Sequence, residues 1–144
     1  MRAVIDANIL IRALIKPQDT VGSILSRLAA GDYTLIYSQA ILDELVAKLA
    51  LPRLRRKYAL DEAVIEATLA LLAVRGERVE PVRRVRVSRD PDDNQIIETA
   101  LAGAAPYVVS GDKDLLVLKQ FEDIRFIEPR EFLQRLDEES PPQP

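Results

Sequence analysis

The sequence contains no cysteine and no histidine. The lack of cysteine excludes disulfide bonds, thiolate nucleophiles and thiolate zinc sites. The lack of histidine excludes the Ser-His and Cys-His catalytic couples, imidazole general bases and most zinc or copper sites. Carboxylates are therefore almost the only strong catalytic groups in this chain, and they favour a metal-dependent hydrolase.

Long apolar runs and glycine-rich phosphate loops are also absent. No apolar run approaches the roughly 20 residues needed to span a bilayer, and the first strand-like segment begins without a signal-peptide pattern. We therefore expect a cytoplasmic protein that does not contact a membrane. The lack of a glycine-rich loop excludes P-loop and dinucleotide-binding functions.

The remaining composition is that of an ordinary globular protein. The chain has 144 residues, of which 48% are hydrophobic and 30% are charged, and this suits one domain with a real core. We expect a single domain over residues 1–137. A polar, proline-rich and disordered tail is expected over residues 138–144.

The charge distribution is uneven. The net charge of −3 argues against a globally basic nucleic-acid binder. The positive charge is concentrated in two clusters, one of Arg53, Arg55, Arg56 and Lys57, the other of Arg83, Arg84, Arg86 and Arg89. A solvated turn explains either cluster taken singly. Two such clusters beside an acidic site also suit phosphate, because arginine side chains match phosphate oxygens.

Hydrophobic periodicity predicts alternating strands and helices. Strands are predicted over residues 2–6, 33–37, 107–110 and 125–127, with a further short strand before Pro81. Predicted helices between them include one capped by Ser38, one starting at Asp61, one capped by Asp90, a short one over 113–119 and a last one starting at Pro129. This alternation predicts an α/β fold, a three-layer α/β/α sandwich with a central, mainly parallel sheet.

Three acidic motifs lie where a hydrophobic segment meets a turn, which is where α/β folds place ligands. They are Asp6-Ala7-Asn8, Asp90-Pro91-Asp92-Asp93-Asn94 and Ser110-Gly111-Asp112-Lys113-Asp114. Each acid taken singly is explained by helix capping or by a first-turn position, because an acid there stabilises the helix by roughly 0.3–1 kcal/mol.

The three motifs are expected to converge. The carboxyl ends of parallel strands share one edge of the sheet, so Asp6 and Asp112 should project from that edge, near the helix start at Asp93. Two carboxylates about 4 Å apart repel by roughly 4 kcal/mol at an effective dielectric near 20. Such a group is stable only if protons or cations neutralise it. The residues therefore predict an acidic pocket for Mg²⁺ or Mn²⁺, which prefer oxygen ligands.

Four segments together carry a family resemblance. They are the Asp6-Ala7-Asn8 start, the helical Leu42-Asp43-Glu44-Leu45, Asp92-Asp93-Asn94 before Ile96-Ile97-Glu98-Thr99-Ala100, and Tyr107-Val108-Val109-Ser110-Gly111-Asp112-Lys113-Asp114-Leu115. In this order and spacing, from Met1 to about Leu136, the chain resembles the PIN-domain ribonucleases, especially the branch of VapC-type toxins of toxin-antitoxin systems. The resemblance implies a compact α/β/α domain that uses Mg²⁺ or Mn²⁺ to hydrolyse single-stranded RNA, leaving 5′-phosphate and 3′-hydroxyl ends.

The resemblance also implies roles for individual residues. The four catalytic acids fall on Asp6, Glu44, Asp93 and Asp112, of which Asp6, Asp93 and Asp112 would hold the metal. Supporting roles fall on Asn8, Ser110, Asp92 and Asp114, and Asp92 is an alternative to Asp93 as the third acid. Helical periodicity alone does not choose between Asp43 and Glu44. Either basic cluster could hold the RNA backbone, and the choice stays open. The cluster of Arg53, Arg55, Arg56 and Lys57 is favoured over that of Arg83, Arg84, Arg86 and Arg89, because it follows the helix that carries Glu44.

The implied partners are single-stranded RNA, a cognate antitoxin that covers the site, and a second copy in a homodimer. Other functions stay open: an RNA-processing nuclease that is not a toxin, an aspartyl-phosphate phosphatase, or a non-catalytic phospho-receiver or interaction domain. The phosphatase and receiver hypotheses lack their motifs, since Asn8 stands where phosphatase chemistry usually needs a second Asp. Metal-dependent RNA cleavage would separate these functions.

Overall fold

A six-stranded sheet lies at the centre of the computed structural model, which describes residues 1–139. Its strands are β1 (Arg2–Ile5), β2 (Thr34–Tyr37), β3 (Gly76–Arg78), β4 (Tyr107–Val109), β5 (Gln120–Phe121) and β6 (Ile124–Ile127). The strand order is β3-β2-β1-β4-β6-β5, and every neighbouring pair is parallel except β5 with β6. The prediction of a mainly parallel sheet is confirmed.

Helices cover both faces of this sheet. Within residues 1–139 they are α1 (Ala7–Ile15), α2 (Ser23–Ala29), α3 (Gln39–Leu49), α4 (Pro52–Tyr58), α5 (Glu62–Arg75), α6 (Pro91–Ala102), α7 (Lys113–Leu116) and α8 (Pro129–Glu139), with a 3-10 turn at Thr20–Gly22. None of the helices in this range combines the length and the apolar character that a membrane span requires.

The strand residues divide the core into two halves because successive side chains point to opposite faces. On β1, Ala3 and Ile5 pack in one half, beside apolar residues of α1, α2, α5 and α8. Val4 packs in the other half, beside Ile97 and Ala100 of α6 and Leu115 of α7. The result is the predicted three-layer α/β/α sandwich.

The order of the strands creates a crevice between β1 and β4. From β1 the chain builds outward through β2 and β3, then returns to the other side of β1 to form β4. Ligands of open α/β sheets bind outside the carboxyl ends of the strands at such a reversal of direction. Asp6 follows β1 and Ser110 follows β4, so both predicted site residues lie at this crevice.

The C-terminal end of α6 is anchored against the sheet. The guanidinium of Arg2 donates hydrogen bonds of 3.0 and 2.7 Å to the carbonyl oxygen of Gly103. A side chain at Gly103 would place its Cβ 2.4 Å from Ile36 Cγ2, so only glycine allows the helix end to approach so closely. This anchoring holds the opposite end of α6, with its acidic first turn, at the crevice.

Three local predictions differ from the structure. The predicted helix over 113–119 ends at Leu116, because Lys119 takes a positive φ of 61° and starts the hairpin of β5 and β6. Ser38 precedes α3 but makes no capping hydrogen bond; its hydroxyl accepts one of 2.8 Å from Thr99 instead. Glu138 and Glu139 lie in α8, whereas the rest of the predicted tail lies outside the described residues.

Candidate metal centre

The ends of β1 and β4 are joined by a buried hydrogen-bond network. The strands are in register at Ile5 and Val109, which places Asp6 beside Ser110. The Ser110 hydroxyl donates a hydrogen bond of 2.9 Å to Asp6 Oδ2 and accepts one of 3.0 Å from the backbone N–H of Asp112. Asp6 is 6% exposed and Ser110 is fully buried, so this network is shielded from water.

A second element brings two more acids to the same edge. Asp90 caps α6 by accepting a hydrogen bond of 3.0 Å from the backbone N–H of Asp92, and Pro91 occupies the first turn. Asp93 lies on the inward side of this turn and is only 3% exposed. Carboxylate oxygens of Asp90, Asp93 and Asp112 lie within 4.8 Å of one another. These three acids are called the carboxylate triad below.

The electrostatics of the triad centre on Asp93. The pKa of Asp93 is raised to about 6, mainly by burial, with smaller contributions from the neighbouring carboxyls of Asp112 and Asp90. The Ser88 hydroxyl, which donates a hydrogen bond of 3.1 Å to Asp93 Oδ2, acts in the opposite direction. The negative charge of ionised Asp93 is therefore poorly compensated, as expected for a buried acid beside like charges.

The triad suits a divalent cation. It offers three carboxylates at short mutual distance, and the raised pKa of Asp93 indicates that positive charge is lacking between them. Mg²⁺ and Mn²⁺ take carboxylate oxygens as ligands and would keep all three acids ionised at neutral pH. The triad differs from the predicted metal set in containing Asp90, which the sequence indicated only as a helix cap.

Asp6 is close to the triad but is not part of it. Oδ2 of Asp6 accepts the Ser110 hydroxyl, and Oδ1 accepts the backbone N–H of Asn8 at 3.2 Å. Ser110 connects Asp6 to Asp112 through the backbone N–H of Asp112. The structure thus places Asp6 one hydrogen-bonded residue away from a triad member.

Glu44 is held by a lysine. Lys48, one turn further along α3, contacts Glu44 Oε1 at 2.8 Å and donates a hydrogen bond of 2.7 Å to the side-chain oxygen of Asn8. Glu44 and Asn8 are therefore brought together through Lys48. Asp43 is exposed and accepts a hydrogen bond of 2.7 Å from Gln39, so Glu44 is the acid of this pair on the Asn8 side.

The other two predicted supporting acids lie outside the triad. Asp92 is exposed, in contrast to the buried Asp93. The backbone N–H of Asp114 donates a hydrogen bond of 2.9 Å to Asp112 Oδ1 and so supports the loop after β4. The carboxylate of Asp114 contacts Arg89 at 3.4 Å.

Sequence reasoning missed two residues that position the triad. Besides bonding to Asp93, the Ser88 hydroxyl accepts the backbone N–H of Asp90 at 3.2 Å. Asn94 holds Ser88 in turn: its side chain accepts the backbone N–H groups of Val87 and Ser88 and donates to the Ser88 carbonyl, all within 3.0 Å. No periodicity marks either residue, because both act between an irregular segment and a helix.

The favoured basic cluster lies on α4. Arg55 is engaged in a 2.6 Å ion pair with Glu62 and a 3.1 Å hydrogen bond to the Leu49 carbonyl. Lys57 lies over the ring of Tyr58. Arg53 and Arg56 are exposed.

Comparison with known proteins agrees with this architecture. A family model described as PIN domain matches residues 2–114. The uncharacterized protein MJ1680 of Methanocaldococcus jannaschii is 32% identical over 119 residues, which are 83% of this chain and 76% of that protein. A chain in the crystal structure of VapBC2 from Rickettsia felis, bound to a DNA fragment from their promoter, is similar in fold, with a TM-score of 0.57 and 18% identity over 89% of this chain and 98% of that one. The chain therefore belongs to the PIN domain family, a family of nucleases.

Proposed function

We propose that this protein is an endoribonuclease that depends on Mg²⁺ or Mn²⁺ and hydrolyses phosphodiester bonds of single-stranded RNA. The observation that carries the proposal is the carboxylate triad of Asp90, Asp93 and Asp112, where the start of α6 meets the loop after β4. A bound divalent cation supplies a water of lowered pKa and stabilises negative charge on the phosphoryl group. This chemistry needs no histidine, which agrees with the composition.

The residues around the triad have separable tasks in this proposal. Asp93 and Asp112 hold the metal, with Asp90 as a third ligand. Asp6 completes the negative pocket and orients Ser110, which fixes the backbone of Asp112. Glu44 is the fourth catalytic acid, and its partner Lys48 balances the charge of Glu44 when no RNA is bound.

The test compares neighbouring acids of one helix turn. Protein stripped with EDTA is titrated with Mn²⁺ by calorimetry, and cleavage of an unstructured RNA is followed with and without the metal. We expect Asp93→Asn to weaken Mn²⁺ binding by more than about 100-fold, since even residues that only support a ligand cost 10–100-fold. Cleavage should fall in parallel.

Asp92→Asn is the matched control, because it makes the same change at an exposed position in the same turn. It should bind Mn²⁺ and cut RNA like the parent. Wild-type protein that takes up no Mn²⁺ and cuts no RNA would refute the proposal. The products should carry 5′-phosphate and 3′-hydroxyl ends.

We further propose that the nuclease is the toxin of a toxin-antitoxin pair and that its antitoxin covers the acidic pocket. The similarity in fold to a chain of the VapBC2 structure supports this assignment. Expression should arrest growth, Asp93→Asn should relieve the arrest, and co-expression of the adjacent reading frame should do the same. RNA cleavage in vitro without growth arrest would instead indicate an RNA-processing nuclease. We expect a homodimer, which sedimentation analysis would reveal.

A further inference from the structure

Two clefts adjoin along α6, the helix that carries Asp93 of the carboxylate triad. One, of about 330 Å³, lies where β2 and β3 end and is lined by residues that include Arg78 and Arg84. The other, of about 450 Å³, is lined by residues that include Arg86, Ser88 and Arg89. Their linings share Arg84, Gln95 and Glu98, so the clefts are neighbours. We call the two clefts together the arginine groove.

The arginine groove carries net positive charge, because four arginines and two acids, Glu80 and Glu98, line it. Arg78, Arg84 and Arg86 are exposed and, within residues 1–139, form no ion pair. Arg89 contacts Asp114 only at 3.4 Å and its side chain is 85% exposed, so this pair contributes little. A protein of net charge −3 thus concentrates free arginines in one concave strip.

The segment that carries Arg84 and Arg86 is rigidly attached to α6. The buried side chain of Glu98 accepts the backbone N–H of Val85 at 2.9 Å. Asn94 accepts the backbone N–H of Val87 at 3.0 Å. Val85 and Val87 are turned toward the core, whereas the two arginines between and before them face solvent. The guanidinium groups are therefore presented from a fixed backbone.

The arginine groove leads directly to the triad. Ser88 lines the groove and donates its hydroxyl hydrogen bond to Asp93. A chain lying in the groove would therefore pass beside Ser88, the hydrogen-bond partner of Asp93. The cluster on α4 lacks such a connection: Arg55 is already paired with Glu62, and α4 contributes no residue to either cleft.

We propose that the arginine groove binds the phosphate backbone of single-stranded RNA and guides it to the carboxylate triad. This inference rests on the proposed nuclease function and names the surface that recognises its substrate. Guanidinium groups bind phosphate oxygens in a geometry that a fixed backbone can set in advance. The repeated feature of the ligand is the phosphate, so recognition here is independent of base sequence. The proposal replaces the α4 cluster as the expected RNA-binding surface.

The experiment compares two double variants, each of which removes two exposed arginines that form no ion pair within residues 1–139. Arg84→Gln/Arg86→Gln alters the arginine groove, and Arg53→Gln/Arg56→Gln makes the same charge change on α4. Binding of a fluorescein-labelled oligouridine of about 12 nucleotides, a length within the usual range of single-strand sites, is followed by anisotropy. The buffer contains EDTA, so that the RNA stays intact and binding is measured apart from cleavage.

We expect the groove variant to bind RNA about tenfold more weakly at 0.1 M salt and to lower the salt dependence of log K by about 1.4, since each phosphate contact on a single strand contributes about 0.7. The α4 variant should bind like the parent. Equal losses in the two variants, an unchanged affinity in the groove variant, or no measurable RNA binding by the parent would each overturn the proposal.

These measurements distinguish failure of the groove assignment from failure of the proposed nuclease function. If RNA binding depends on Arg84 and Arg86 but the Mn²⁺-loaded protein cuts no RNA, the groove is an RNA-binding surface and the catalytic proposal is wrong. If the protein cuts RNA while the groove variant binds and cuts normally, the groove assignment is wrong and the nuclease stands. A partner protein would then be the alternative ligand of the arginine groove.

Discussion

The hydroxyl of Ser110 donates a hydrogen bond of 2.9 Å to the carboxylate of Asp6, which lies 104 residues earlier in the chain. The same hydroxyl accepts the backbone N–H of Asp112. Ser110 thus fixes the relative positions of the loops that follow β1 and β4. Because the network is buried, both partners would lose their hydrogen bonds without access to water if Ser110 were shortened.

Ser110→Ala should lower the free energy of unfolding by about 1–3 kcal/mol, the typical cost of leaving a buried polar group unpaired. It should also weaken Mn²⁺ binding by about 10–100-fold, as for other residues that orient ligands. Urea unfolding and calorimetry measure the two effects. Ser26→Ala is the control, because Ser26 is exposed and its hydroxyl, within residues 1–139, bonds only to the Ser23 carbonyl. Similar losses in both variants would contradict the role given to Ser110.

Asp90→Asn separates helix capping from metal binding. Asparagine caps helices as well as aspartate does, so α6 should remain intact while the triad loses one charge. We expect weaker Mn²⁺ binding at an almost unchanged melting temperature. Asp61→Asn makes the same change at the cap of α5, where Asp61 accepts the backbone N–H of Val64 at 2.9 Å. Asp61→Asn should leave the Mn²⁺ affinity unaltered. An equally unaltered Mn²⁺ affinity in Asp90→Asn would show that Asp90 is only a helix cap.

The raised pKa of Asp93 predicts that the difference in stability between Asp93→Asn and the parent depends on pH. In the metal-free protein this pKa is about 6, above the value of about 3.9 for an unfolded chain. The fold therefore opposes ionisation of Asp93, and this destabilisation is fully present above pH 6 and absent below about pH 4. Asp93→Asn should be more stable than the parent by roughly 1–3 kcal/mol at about pH 7.5, since one pKa unit corresponds to about 1.4 kcal/mol.

The difference between Asp93→Asn and the parent should disappear as the pH falls toward about 4, because Asp93 is then protonated in both states of the parent. Urea unfolding in EDTA across this pH range measures it. A stability difference that stays constant with pH would show that asparagine changes packing and not charge. Saturating Mn²⁺ should reverse the order at neutral pH, since only the parent gains binding energy.

Glu44→Gln tests whether the fourth acid acts in catalysis. The Glu44–Lys48 pair is about one-third exposed, so its loss should change stability by less than about 1 kcal/mol. RNA cleavage should nevertheless fall at least about 100-fold, the lower end of the usual loss for a removed catalytic group. Asp43→Asn, one residue away and exposed, should cut RNA normally. Equal activities of the two variants would assign Glu44 to a solvated helix face.

Much of the architecture was predictable because it depends on neighbours in the sequence. The strands β1, β2, β4 and β6 follow from short apolar runs, and the N-caps Asp61 and Asp90 follow from local hydrogen bonding that any such residue can make. The hairpin of β5 was missed, since two residues with positive φ at Lys119 and Glu122 leave no periodic signal.

The site was predictable only in part. Asp93 and Asp112 were expected to meet, because parallel strands and the following helices share one edge of the sheet. The participation of Asp90 was not expected, since its capping role accounted for it fully. Ser88 and Asn94 were also missed, because their partners are backbone groups of an irregular segment that no pattern describes.

By itself, the amino-acid sequence determined the alternation of strands and helices, the dependence of any chemistry on carboxylates, and the edge of the sheet where they gather. Only the tertiary structure decided that Asp90 joins Asp93 and Asp112, that Ser110 connects Asp6 to Asp112, and which nearby arginines form no ion pair within residues 1–139. Periodicity and capping are short-range interactions within a few residues. The distance between two carboxylates, or the pairing of an arginine, depends on side chains far apart in the chain and is set only when the layers pack.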